Sequence, residues 1–185
     1  CAKLIPEMVK YDGIAYLRTL RSKTAVLYNE DEEFVIGGAK VLRGGKGGKG
    51  NPPQPLPGGD EMRDVLTVVA CGITVEEALK AYELLKQEHI FIRVVDAYSI
   101  KPIDKDTLIR CASETKKKVL ITVEDHYEHG GLGDAVLSAV ALEDVKVHKM
   151  AVKKISHSGT KDELLDDAGI SAKHIVEKVK SLIIK

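Results

Sequence analysis

From Asp64 onward, short apolar runs alternate with longer amphipathic stretches, and this alternation restricts the possible folds more than any other feature of the chain. VLTVVA (65–70) is almost continuously apolar, as a strand covered on both faces must be. Gly72 ends it, and Thr74 with Glu77 has the capping-box spacing that opens a helix carrying Ala78, Leu79, Tyr82, Leu84 and Leu85 on one face. FIRVV (91–95) predicts a second strand, Asp104 or Ser99 a helix start, and 108–111 a short helix. A third strand over 119–123, a helix over 132–142, a strand over 145–152 and helices over 163–167 and 172–183 complete the pattern. Strands separated by helices in this way predict a three-layer α/β/α fold around a mostly parallel, mixed five-stranded sheet.

The stretch before Asp64 reads differently. Leu4, Ile5, Met8 and Val9 share one helical face, 14–19 and 24–28 read as short strands, and 34–41 is a weaker apolar stretch. A chain opening on Cys-Ala-Lys inside a helix is expected to be the tail of a longer polypeptide. Between the two parts, GGKGGKGNPPQPLPGG (44–59) spends 11 of its 16 positions on Gly and Pro. Such a run predicts a linker, open to proteases, and its length costs little because loop-closure entropy grows only logarithmically. Its lysines do not make a phosphate loop, since the GxxxxGK[ST] spacing is missing.

Charge narrows the function classes. Lys plus Arg and Asp plus Glu both number 28, so no net charge draws the chain to nucleic acid or a membrane surface. No run approaches the ~20 apolar residues of a membrane span, and the first residues show no basic n-region followed by an apolar h-region. Cys1, Cys71 and Cys111 are odd in number and widely spaced, which predicts buried thiols in a reducing, cytoplasmic setting.

The stretch with the most chemistry is VEDHYEHGGLGDAV (123–136), which gathers His126, His129 and three glycines beside Glu124, Asp125 and Glu128. It falls just past a strand, where open α/β sheets bind ligands, and it leads into a helix whose free amides could take an anion. The GxGxxG register is absent, and closely spaced loop ligands fix no metal geometry without a further partner. A packed polar turn that fixes a surface is therefore the preferred reading, with a partner or small anion bound between Glu124 and Gly133 as the alternative.

Four stretches carry a family resemblance: RTLRSKTAVLYNEDEEFVIGGAKV (18–41), TVVACGITVEEALKAYELLKQEHIFIRVVDAYSIKPID (67–104), ITVEDHYEHGGLGDAV (121–136) and ISHSGTKDELLDDAGI (155–170). They resemble the C-terminal part of a transketolase. The same domain occurs in the beta subunits of 2-oxoacid dehydrogenases and in deoxyxylulose phosphate synthase, but 158–170 and the Asn-Glu-Asp segment are most similar to transketolase itself. The resemblance implies a division into the end of the pyrimidine-binding domain (1–43), the linker (44–63) and the terminal domain (64–185).

It also implies a parent enzyme of the pentose phosphate pathway, cytoplasmic and homodimeric. That enzyme uses thiamine diphosphate and Mg or another divalent cation to move a two-carbon ketol unit from a ketose phosphate such as xylulose 5-phosphate to an aldose phosphate such as ribose 5-phosphate. The family's cofactor, metal and proton-transfer residues match no position here, so the span alone is expected to hold no cofactor and perform no catalysis. One role maps: Arg21 in RTLR matches the arginine that grips the sugar phosphate, with Arg18 as a weaker second. A guanidinium suits the task, because it forks onto phosphate oxygens and stays charged. Ser22 stands where the family often has proline, and the linker has no family counterpart.

Overall fold

A computed structural model of the chain describes residues 2–20, 24–45 and 64–183. Five strands form one sheet in the order β1-β3-β2-β4-β5: β1 (Lys40–Arg43), β2 (Thr67–Ala70), β3 (Arg93–Asp96), β4 (Val119–Tyr127) and β5 (Lys146–Val152). β2 to β5 run parallel, while β1 adds to β3 antiparallel, with Lys40 opposite Asp96 and Val41 opposite Val95. The sheet is thus mixed and mostly parallel, as expected, and one of its five strands, β1, comes from before residue 46.

Period-two alternation inside the apolar runs feeds two cores. Val68, Ala70, Ile121 and Val123 face α2 (Thr74–Gln87) and α6 (Ala172–Ile183), where Ala78, Leu85, Ile175 and Val179 close the cluster. Val69, Val95 and Leu120 point the other way, against Leu108 and Cys111 of α3 (Lys105–Ser113) and Leu132 and Val136 of α4 (Leu132–Ala139). Both faces are covered, which completes the three layers.

Helix ends follow local chemistry only in part. Asp104 caps α3 by accepting from Thr107 N (3.0 Å). α5 (Lys161–Asp167) starts on a reciprocal box between Thr160 and Glu163. The box expected at Thr74 and Glu77 is not made: Ile73 is the N-cap, and Thr74 Oγ1 donates to the Val123 carbonyl of β4 (2.6 Å). Glu77 instead accepts from Ala172 N at the start of α6 (2.8 Å). These groups tie α2 to its neighbours rather than capping its own turn.

Ahead of the sheet, α1 (Leu4–Lys10) buries no residue, and none of the described residues from 2 to 45 is buried. The expected strands at 14–19 and 24–28 do not form: these residues join no ladder, and Ile14 and Val26 are 100% and 93% exposed. A strand needs a neighbour to hydrogen-bond, and among the described residues only β1 of this arm finds one.

Candidate functional site

In this sheet the strand order reverses between β2 and β4, and the crevice beyond their carboxyl ends is where open α/β sheets place ligands. Here the chain covers it with its own arm. Arg18 reaches the end of β4, donating from Nη1 to the Asp125 carbonyl (2.6 Å) and from Nη2 to the Asp125 carboxylate (3.2 Å). Leu20 packs on the core beside Gly72, just after β2. Ala25 N donates to Glu76 in the first turn of α2 (2.7 Å).

The arm then reaches the end of β3, where Tyr28 OH donates to the buried Asp96 carboxylate. Phe34 stacks edge-on between Tyr28 and Tyr98, and Gly37 N and Ala39 N donate to Ser99 Oγ (2.9 Å) and Asp104 Oδ2 (3.1 Å). From there it enters the sheet as β1. The order of crossing is β4, β2, β3.

The 124–133 segment is built from the inside. β4 runs on to Tyr127, and the buried Glu124 turns both carboxylate oxygens onto the start of α4: Oε2 accepts from Leu132 N (2.6 Å) and Oε1 from Gly133 N (2.8 Å). The free amides of a helix N-terminus attract an anion, and the chain supplies its own. Glycine is required here by contact, since a Cβ on Gly131 would overlap the Glu124 carboxylate and one on Gly133 the Lys149 stem. Gly130, at φ +75°, makes the turn, and its amide donates to Asp134 (2.7 Å). Lys149 ties the rim together through Asp134 Oδ1 (2.8 Å) and the Glu128 carbonyl (2.5 Å).

A small anion at this turn would have to displace Glu124 from the two amides. His126 Nδ1 sits 2.8 Å from the Tyr127 carbonyl, and the exposed His129 lies 3.7 Å from Glu128. Among the described residues no group of three or more His, Cys, Asp or Glu could hold a metal ion.

Electrostatics follow burial. Burial pushes the Asp96 carboxyl up to about 6, with the Tyr28 hydrogen bond and the Lys40 charge pulling the other way. Burial raises the Cys71 thiol to about 12, helped by Glu124 and Asp96, so it is no thiolate nucleophile. Burial also pushes Glu76 up, but the hydrogen bonds from Lys161 (2.6 Å) and the Ala25 amide outweigh it and leave its pKa below the usual value. Of the sequence-predicted residues, Arg18 stands at Asp125, while Arg21, Cys1 and residues 46–63 of the linker lie outside the described residues. The anchors at Glu76 and Asp96 were not foreseen. Their sequence signal, an acid at a strand end or in a first helical turn, is too common to single them out.

Residues 60–175, more than half the chain, match the family described as "Transketolase, C-terminal domain". The chain belongs to the transketolase family. Transketolase-like protein 2 of Mus musculus is 44% identical over 94% of this chain and 25% of its own length, and human transketolase is 41% identical over the same shares. The chain thus spans about a quarter of the length of these relatives. A solved structure described as "Split gene transketolase, inactive beta4 tetramer" superposes with a TM-score of 0.81 and 30% identity, covering 97% of this chain and 53% of that one. The transketolase of Campylobacter jejuni shares the fold alone, with a TM-score of 0.53 at 18% identity over 83% of this chain and 20% of its own. No helix among the described residues is long and apolar enough to cross a membrane.

Proposed function

We propose that these 185 residues are the C-terminal portion of a transketolase that transfers a two-carbon ketol unit from a ketose phosphate to an aldose phosphate in the pentose phosphate pathway. The observation that carries this reading is the extent of the likeness: identity of 41–44% runs over 94% of the chain, so it takes in the arm as well as the terminal domain. The division proposed is the end of the pyrimidine-binding domain at 1–43, the linker at 44–63 and the terminal domain at 64–185. The parent works in the cytoplasm as a homodimer, with thiamine diphosphate and Mg or another divalent cation bound by its other domains.

The described residues do not fit that coenzyme. The amides that suit a phosphate at the start of α4 are taken by Glu124, and no acidic or histidine cluster is present among them for the cation. On this proposal the span alone is non-catalytic, a reading supported by the description of the split-gene relative as an inactive tetramer. Its contribution to the whole enzyme is structural surface plus Arg21, which grips the sugar phosphate through two charge-assisted hydrogen bonds. Arg18 is the weaker candidate, because its guanidinium already has Asp125.

The test is Arg21→Ala in the full-length enzyme. Its KM for a ketose phosphate is expected to rise about a hundredfold while that for an unphosphorylated ketol donor stays within about twofold. Equal change for both donors would remove Arg21 from the site.

A further inference from the structure

Gly45 and Asp64, the residues on either side of 46–63, meet at a buried ion pair. Asp64, which precedes β2, and Arg93, which opens β3, are 4% and 3% exposed and joined through Nε and Oδ2 at 3.3 Å. Arg93 Nη1 also donates to Glu114 (2.6 Å), and the Asp64 carbonyl accepts from Lys116 N (3.0 Å), so the turn after α3 fixes both residues. Onto this pair comes the end of β1, where the Gly45 amide donates to Asp64 Oδ2 at 2.8 Å.

The pair is shaped for glycine. Gly44 and Gly45 sit at φ +75° and +77°, a region that residues with a side chain rarely adopt. A Cβ on Gly44 would lie 2.6 Å from Asp64 Oδ2, and one on Gly45 would lie 3.0 Å from Arg93 Cζ. At the other end of β3, Tyr28 donates to the buried Asp96, and Gly37 N and Ala39 N donate to Ser99 and Asp104. Between these ends β1 pairs with β3, while Val41 and Leu42 pack on the two cores.

A covalent tether does not call for so much. It supplies an effective concentration of about millimolar by itself, enough to keep even a weakly held segment in place. Here the domain needs the segment for its own completion: without it β3 would carry an unpaired edge, and the buried Asp96 would lose its Tyr28 donor.

We infer that the edge of β3, bounded by Asp64 and Arg93 at one end and Asp96 at the other, is a docking site that holds residues 24–45 without the covalent connection through 46–63. The occupant is an extended segment that carries Tyr28 ahead of its strand and Gly44-Gly45 after it. Strand addition supplies the hydrogen bonds, and the two ends supply the selectivity. The chain can therefore be cut within 46–63 and remain one assembly.

The test inserts a site-specific protease sequence within 46–63 of the 185-residue chain, cuts it to completion on a denaturing gel, and follows the products by analytical ultracentrifugation on dilution. At about 10 µM the two pieces are expected to sediment as one complex, with a Kd of about 1 µM or below. Gly45→Ala leaves every residue from Asp64 onward in place and should raise that Kd about tenfold or more. Asp64→Ala should raise it at least as far, whereas Val26→Ala, at an exposed position of the same segment, should change it less than about twofold. If circular dichroism shows that Asp64→Ala unfolds the larger piece, Gly45→Ala decides alone. Pieces that separate at about 10 µM overturn the inference, and so does a Gly45→Ala complex as tight as the wild type. No substrate enters the assay, so its failure leaves the transketolase reading standing.

Discussion

The arm and the α/β domain use the same residue types to opposite ends. In the domain, Val68, Val69, Leu120 and Ile121 are wholly buried on two faces of a sheet. In the arm, Ile14, Tyr16 and Val26 stand 86–100% exposed, and attachment rests on Arg18, Ala25, Tyr28 and a few amides. Apolar side chains stabilise only when something removes them from water. The domain supplies that cover through its own helices, whereas the arm lies across the sheet's carboxyl edge and borrows polar anchors there. A carboxyl edge that serves many α/β proteins as a binding crevice is here a seat for the chain's own backbone.

Three substitutions sharpen this contrast. Leu120→Ala, in β4 at the centre of the second core, should cost about 2–5 kcal/mol in denaturant unfolding, while Val26→Ala in the arm should stay within about 0.5 kcal/mol. Similar losses at both sites would mean that the arm carries stability of its own. Glu124→Ala strips α4 of its carboxylate and leaves two buried amides unpaired, for an expected loss of about 2–3 kcal/mol by the same measurement. A neutral result would show that water or another group caps that helix equally well.

A pH dependence is the effect most specific to the arm's seat. Asp96 titrates near 6 when folded, above the ordinary value of about 3.9 for a free aspartate. The folded state therefore holds the proton more tightly. Lowering pH from about 6 to about 4 should stabilise the wild type relative to Asp96→Asn by about 1.4 kcal/mol per pH unit at most, with no further trend above 6. Parallel pH profiles for the two proteins, measured by thermal melts, would place Asp96 in an ordinary solvated setting.

Much of the domain was legible in the sequence because burial on both faces leaves a mark: continuous apolar strands and one-faced helices. β2, β4, β5, α2 and α6 fall within a few residues of their expected bounds. The arm was not legible in the same way. Its β-rich stretches at 14–19 and 24–28 join no ladder, because a ladder depends on a neighbour that local pattern does not encode. Thr74 shows the same limit at a single residue. Its spacing to Glu77 fits a capping box, but the Val123 carbonyl and the Ala172 amide, distant in sequence, compete for the two side chains and win.

Glu124 marks the division most sharply. Local chemistry determined that a glycine turn feeding a helix would attract negative charge, because free amides and the helix dipole are set by the backbone alone. Only the tertiary structure decided where that charge comes from. Extending β4 past Val123 turns a buried carboxylate onto Leu132 and Gly133, and folding the arm over the edge puts Arg18 on Asp125. Periodicity along the chain reports which side chains must leave water; which partners they meet depends on segments more than 100 residues apart coming together.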